Sequence, residues 1–326
     1  MQSFEWVNPS SVEQATGLLS ADNARGPVLA KAGGIDLLDL MKEGILKPSR
    51  LVNLRAIPGL DQVRLDGKQG LELGALVTLA RIADHPGIRR SYGALAEAAG
   101  HAATPQVRNA ATIGGNLLQR PRCWYFRSEY FHLPEARGNP GEGENQYHAI
   151  FDNARTPMVH SSTPATALLA YDASVELVGP QGKSRTVAMK DLLLPPDMKR
   201  DRDTVVEPGE VLTKVTLPAL PPGTRAAYHK QTERDSYDWP ICDVAVLLQL
   251  ERGTVRSASI AMGWVAPTPR KATASEKLLT GRRVDESLAR EAAKAAVAGA
   301  TPLSKNAYKV PVLEAVLRRT ILAAAG

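Results

Sequence analysis

The chain has 326 residues, of which 44% are hydrophobic and 23% charged, with a net charge of +6. These totals are those of an ordinary globular protein too long for one compact core, so two or three domains are expected. Aromatic residues make up only 5%, and the basic residues form short pairs such as Arg89-Arg90, Arg282-Arg283 and Arg318-Arg319, which argues against a stacking platform for single-stranded nucleic acid and fits solvated surface.

In chain order, Ser10-Ser11-Val12-Glu13 reads as a capping box, and Val12, Ala15, Leu18 and Leu19 give the helix after it one apolar face. Pro27-Val28-Leu29-Ala30 is a short buried strand that runs into Lys31-Ala32-Gly33-Gly34, and Asp36 to Met41 is helical. The first glycine pair thus stands at a strand-to-helix turn, where free N–H groups and the helix dipole favour an anion. Strands follow over Arg50 to Leu54 and Leu71 to Ala75, then helices over Leu76 to Asp84 and Gly93 to Gly100. The stretch His101 to Asn109 is small and polar and leads into a second glycine pair, Ala111-Thr112-Ile113-Gly114-Gly115-Asn116.

Residues 120–157 are rich in Gly, Pro, Asn and Glu with no lasting period, as in a long functional loop. A helix over 163–170 and a hairpin around Gly179-Pro180-Gln181-Gly182 come next. Leu217 to Gly223 is a linker, followed by strands at Ala226 to Gln231, Asp243 to Leu250 and Val255 to Met262 and by helices at Asp285 to Val297 and Ala307 to Ala325. No apolar run has the length of a bilayer span, and Met1 to Trp6 lacks the regions of a signal peptide. Cys123 and Cys242 lie far apart, which fits a reducing, cytoplasmic compartment rather than a disulfide framework.

Each glycine pair taken alone is either a tight turn or a backbone cradle for phosphate oxygens. The flanking residues favour the cradle, since Asp36, Asn116 and Thr112 can bond sugar hydroxyls, amides or phosphate. Two cradles in one domain point to a ligand with a long anionic middle, such as a dinucleotide. The G-x-G-x-x-G fingerprint and the Walker A sequence are both absent. No Ser/His/Asp set, paired acidic residues on a helix or His-rich metal motif stands out.

The motifs together resemble those of the FAD-binding medium subunit of the xanthine dehydrogenase and molybdenum hydroxylase family. Ala32 to Leu38 resembles A-G-G-T-D-L-L with Ile35 in place of Thr, and Arg108 to Asn116 matches R-N-x-A-T-I-G-G-N without a break. The resemblance continues through His160-Ser161-Ser162, Pro208-Gly209-Glu210, Lys230-Gln231, Val265-Ala266-Pro267-Thr268-Pro269 and Asn306-Ala307-Tyr308-Lys309. It implies an α+β fold: a two-lobed FAD-binding domain of the vanillyl-alcohol-oxidase-like type over 1–220, with lobes at about 1–57 and 58–220 and an inserted loop at 120–157, then a C-terminal α/β domain over 221–326 built on a three-stranded meander with helices.

The resemblance also implies FAD as cofactor. Ala32, Gly33, Gly34, Ile35, Asp36 and Leu37 would hold the pyrophosphate from one lobe, and Thr112, Gly114, Gly115 and Asn116 from the other. Ala103, Thr104 and Val107 would line the channel, Ser162 and Thr163 would contact the flavin, and Leu212 and Lys230 would lie near its ring, where a lysine favours the reduced, anionic form. No catalytic or metal-ligating residue is implied. The partners would be a large molybdopterin-binding catalytic subunit and a small [2Fe-2S] subunit, with an external acceptor of unspecified kind and neither nucleic acid nor membrane. A flavin-less scaffold that kept the fold is the alternative, and a self-sufficient flavin oxidase a third reading.

Two departures stand out. Thr163 takes the place of an Asp in the family's His-Pro-Ser-Asp stretch, keeping a hydroxyl and losing a charge. Gln119 to Phe126 and Glu144 to Ile150 resemble the ends of a loop that holds a [4Fe-4S] cluster in one branch of the family, yet Cys123 is the loop's one cysteine, and Leu133 and Met158 stand near positions where thiols are expected. The expectation is a loop kept and a cluster lost, with Cys123 packed under Trp124, and His132, His148 and His160 solvated or hydrogen-bonded rather than ligating.

Overall fold

A computed structural model describes residues 1–21, 25–127, 141–153, 157–195 and 202–326. His132 and Leu133 lie outside the described residues. In the first lobe β1 (Glu5–Val7) and β2 (Val28–Lys31) flank β3 (Arg50–Asn53) in a parallel sheet. Parallel neighbours need crossovers, here α1 (Val12–Ser20) and α2 (Ile35–Lys42). Ser11 caps α1 by accepting from Gln14 N at 3.1 Å, while Gln14 Oε1 accepts from Ser10 N at 2.7 Å. The cap therefore lies one residue later than the expected Ser10–Glu13 pairing, and Gln14, at the third helical position, reaches back past Ser11 to Ser10 N.

The second lobe opens with β4 (Val63–Asp66) and β5 (Gly70–Gly74), runs through α3 (Leu79–Asp84), α4 (Pro86–Ser91), α5 (Gly93–Gly100), α6 (Pro105–Ala110), α7 (Ile113–Leu117), α8 (Trp124–Arg127) and α9 (Thr163–Ala170), and closes with β6 (Ser174–Val178), β7 (Ser184–Ala188), α10 (Met189–Leu192) and β8 (Val211–Leu217). Its antiparallel sheet has the order β4-β5-β8-β6-β7. The helix expected from Leu76 begins only at Leu79, because Thr78 caps it by accepting from Arg81 N. The polar approach to the second glycine pair is itself helical: Thr104 accepts from Val107 N and Pro105 takes the first position of α6, both favoured starts.

The last domain is a sheet of order β12-β11-β10-β9, made of β9 (Thr224–Gln231), β10 (Cys242–Glu251), β11 (Thr254–Gly263) and β12 (Arg270–Lys271), with α11 (Thr273–Leu279), α12 (Glu286–Val297) and α13 (Lys309–Ala325). The expected meander of three strands gains the edge strand β12, two residues long and too short to carry a period. The alternating residues of β10 divide between two cores. Ala245 and Leu247 join the second-lobe core with Leu95 and Leu168, while Val244, Val246 and Leu248 pack with Leu313 and Leu317 of α13. Burial on both faces explains the unbroken apolar run Val244 to Leu248. A third cluster, with Ala15 and Val52 of lobe one against Leu76 and Val211 of lobe two, joins the lobes.

Candidate functional site

Between the lobes and the last sheet lies a cleft of about 600 Å³, within the range of small-molecule sites. Both glycine pairs line it, together with Ala32, Ile35, Asp36, Leu37, Ala103, Val107, Thr112, Asn116, Thr163, Leu212 and Lys230. Of the residues singled out from the sequence, Thr104 and Ser162 do not line it. Thr104 is spent on the α6 cap. Ser162 Oγ donates to Asn116 Oδ1 at 2.6 Å and accepts from Ala165 N at 3.0 Å, so it caps α9 and fixes Asn116 rather than facing the cleft.

The two pairs differ in geometry. Gly34 has φ +82° and is the N-cap of α2, with no side-chain cap among the described residues. The first amides of α2 therefore have no intrahelical acceptor, and the helix dipole adds positive potential there. Gly33 brings the lobes into contact: a Cβ on it would lie 2.2 Å from Ala110 O. Gly114 and Gly115 sit inside α7, where Thr112 Oγ1 accepts from Gly115 N at 3.2 Å. A Cβ on Gly114 would meet Ala75 Cβ at 2.9 Å, and one on Gly115 would lie 3.1 Å from Thr112 Oγ1 and 3.8 Å from Ala32 Cβ. Gly115 thus keeps open the gap across which the two pairs face each other.

The Asp36 carboxylate, at the edge of the cleft, is engaged by the chain itself. Oδ2 accepts from Arg120 N at 2.9 Å, and Oδ1 lies 2.9 Å from the Arg122 guanidinium and 2.6 Å from that of Arg127. Arg127 also reaches Asp39 at 2.9 Å. This cluster ties residues 120–127 to the start of α2. The far end of the same segment is tied to the last domain: Asn306 Nδ2 donates to His148 O and Ala149 O at 3.1 Å, and Lys309 Nζ donates to Tyr147 O at 3.2 Å, His148 O at 3.0 Å and Trp264 O at 2.6 Å. Lys309 is fully buried, and three carbonyls match its three donors.

Cys123 Sγ lies 3.2 Å from His148 Nε2. That contact, rather than cover by the half-exposed Trp124, is its polar partner; Trp124 packs edge-on against Tyr147. Burial pushes the Cys123 thiol up to about 11 and His148 down to about 4, so the thiol is protonated and the ring neutral at neutral pH. His160 is also held neutral, lowered to about 4 by burial; its Nδ1 accepts from Ser162 N at 3.3 Å, which leaves Nε2–H to donate to Leu117 O at 3.1 Å. Among the described residues no group of three or more His, Cys, Asp or Glu side chains could hold a metal ion. Cys242 is buried at the start of β10.

At the other end of the cleft Lys230 Nζ donates to His101 O at 2.8 Å, and burial lowers its pKa. Trp239, Pro240 and Trp264 also line the cleft; Trp239 stacks on Trp264 at 6.3 Å, and the guanidinium of Arg122, which pairs with Asp36, stands 5.9 Å from the Trp239 ring. Sequence reasoning passed over these residues and the Arg122/Arg127 cluster. Trp264 carries a signal in its position directly before Val265-Ala266-Pro267, and it adopts φ +61°, a strained value for a bulky residue. The uncapped α2 amides, the gap kept by Gly115 and the lysine at the far end fit a ligand with an anionic middle and a polar ring system, as FAD has.

The family model for the FAD binding domain in molybdopterin dehydrogenase matches residues 2–220, and that for the CO dehydrogenase flavoprotein C-terminal domain matches 227–324. The chain is 33% identical to the aldehyde oxidoreductase FAD-binding subunit PaoB of Escherichia coli (strain K12), over 95% of this chain and 94% of that one. It is 30% identical to the carbon monoxide dehydrogenase medium chain of Hydrogenophaga pseudoflava, over 98% and 96%. In solved carbon monoxide dehydrogenase from the same organism, a chain superposes with a TM-score of 0.77 at 29% identity, covering 99% of this chain and 97% of that one.

Proposed function

Because the chain belongs to the family of FAD-binding medium subunits of molybdenum hydroxylases, we propose that its interlobe cleft holds FAD and that the chain passes electrons from an iron–sulfur partner to an external acceptor. Bound flavin supplies the exchange between one-electron and two-electron carriers, and the protein supplies position and field. The observation that carries this reading is the cleft itself, in which both glycine pairs and Lys230 face one volume.

In this reading the amides of Ile35, Asp36 and Leu37 receive the pyrophosphate at the α2 N-terminus, Gly33 and Gly34 shape that turn, and Ala32 and Gly115 leave it room. Gly114 seats α7 against Ala75. Thr112 and Asn116 act through their caps and bonds. Ala103 and Val107 flank the channel, with Thr104 behind them. Leu212, Thr163 and Lys230 face the ring, and the lysine favours negative charge there. The chain's domains are read as 1–220, with lobes divided near residue 57, and 221–326. The partners are a large molybdopterin-binding subunit and a small [2Fe-2S] subunit, by analogy with the multi-subunit relatives. Residues 120–127 are held to the first lobe by Asp36, and residues 147–149 to the last domain by Asn306 and Lys309; the cluster of the resembling branch is read as lost. Among the described residues no helix is long and apolar enough to cross a membrane, and the two cysteines are free, in keeping with work in the cytoplasm.

The test is flavin content. The purified chain is expected to show flavin absorbance at one equivalent, whereas Gly115→Val is expected to keep the far-ultraviolet circular dichroism of the parent and lose the flavin. Full flavin occupancy in a folded Gly115→Val protein would overturn the placement of the pyrophosphate.

A further inference from the structure

Asp243 is a buried carboxylate with no part in holding the cofactor. It is fully buried on β10. Thr166 Oγ1 donates to its Oδ1 at 3.0 Å and the Tyr228 hydroxyl to its Oδ2 at 2.7 Å. Space for it is built in: a Cβ on Gly263 would lie 2.1 Å from Asp243 Oδ1 and 2.0 Å from Thr166 Oγ1. Stability alone does not account for such a group, since an apolar residue of similar volume serves a core as well or better.

Two routes join it to the cleft. On β9 its register partner is Lys230, which lines the cleft and acts on the carboxylate through charge. Tyr228, bonded to Asp243, also interacts with the hydroxyl of Thr163, another lining residue. Burial raises the Asp243 pKa to about 7, against the pull of Tyr228, Thr166, Lys230 and the Gly263 amide. The other titratable groups around this site are Cys242 on the same strand, with Lys309 of α13 acting on that thiol; Glu97 of α5, bonded to the Tyr228 backbone; and His101, whose carbonyl holds Lys230. Asp238 and Arg108 act on Lys230, and Tyr228, Lys230 and Cys242 are the titratable groups that interact with Asp243 directly.

We propose that Asp243 is the proton-holding residue of the flavin cleft: its carboxylate takes up one proton from solvent when negative charge enters the cleft and releases it when that charge leaves. No electron passes through Asp243 and it forms no bond to the cofactor; electrons come and go by the transfer proposed above, and each proton offsets one negative charge. Negative charge in the cleft disfavours a second anion close by and competes for Lys230. Asp243 is thus a positioning residue for charge, and the inference rests on the flavin reading of the cleft.

The test is the midpoint potential of the bound flavin as a function of pH, measured by equilibrium titration of the flavin-loaded protein. The wild-type potential is expected to fall with pH more steeply around neutrality than that of Asp243→Asn, by one proton per electron pair. Tyr228→Phe removes a donor to the carboxylate and is expected to move the steep region to higher pH, which a merely structural role would not do. Parallel lines for wild type and a folded Asp243→Asn would overturn the proposal. If Asp243→Asn does not fold, an unmoved profile in Tyr228→Phe overturns it equally. A reduced-minus-oxidised infrared difference spectrum of wild type must also show a carboxylic acid band appearing on reduction, and its absence counts against Asp243. A wild-type protein without flavin would sink the cofactor reading instead, so the two failures are distinguishable.

Discussion

The two glycine pairs look alike in sequence and perform different work. In the first, Gly34 supplies a left-handed cap and Gly33 a contact between backbones of two lobes. In the second, both glycines have helical backbone that any residue can adopt, and what matters is the missing side chain: Gly114 lets α7 approach Ala75, and Gly115 faces the gap. Their supports differ too. The first pair is backed by ion pairs from Asp36 to Arg122 and Arg127. The second is backed by neutral hydrogen bonds, with His160 on Leu117 O at the end of α7 and Ser162 on Asn116. One motif can thus be seated by charge or by burial, and each seat fails under its own conditions.

Breaking the charged seat has the largest expected effect. Asp36→Ala leaves two largely buried guanidiniums with only the half-exposed Asp39 as carboxylate partner and removes the acceptor of Arg120 N; a loss of about 3 kcal/mol is expected in urea unfolding, with faster proteolysis within 120–127. Next comes Gly33→Ala, whose added carbon meets Ala110 O at 2.2 Å. Backbone must shift, at a cost of about 2 kcal/mol, and flavin affinity falls because the lobes no longer close. A Gly33→Ala protein as stable as its parent would show that the lobes have freedom to separate.

Acid sharpens the comparison from the other side. His160 and His148 are lowered from 6.5 to about 4 in the fold by burial, so between these values the unfolded chain binds the proton first. Their contribution to stability is complete above pH 6.5 and is lost as pH falls toward about 4. Urea midpoints from about pH 7 to about pH 5 are expected to fall, with a shallower decline in His160→Gln. The smallest effect on stability is expected from Gly115→Ala: the helix gains about 1 kcal/mol of propensity and loses a similar amount against the Thr112 hydroxyl 3.1 Å away. Its thermal midpoint stays near that of the parent while its flavin affinity drops, separating the ligand role of Gly115 from any role in the fold.

The sequence by itself determined the elements with local causes. A capped helix after Ser10-Ser11, though with the cap one residue later than expected, the strand-to-helix turn at Gly33-Gly34, the hairpin around Gly179 to Gly182 and the long apolar strand β10 are all written in residues close to one another. The ordered motifs from Ala32 to Lys309 likewise named the family. What only the tertiary structure decided depends on distant partners: that Asp36 pairs with Arg122 and Arg127, that Ser162 and Thr104 are spent on caps, that Trp239 and Trp264 stack in the cleft, and that Asp243 lies across from Lys230 on the neighbouring strand. The reason is physical. A cap or a turn is set by hydrogen bonds within a few residues, whereas the partner of a buried carboxylate or an exposed ring is whichever group the packing of separate domains brings within a few ångströms.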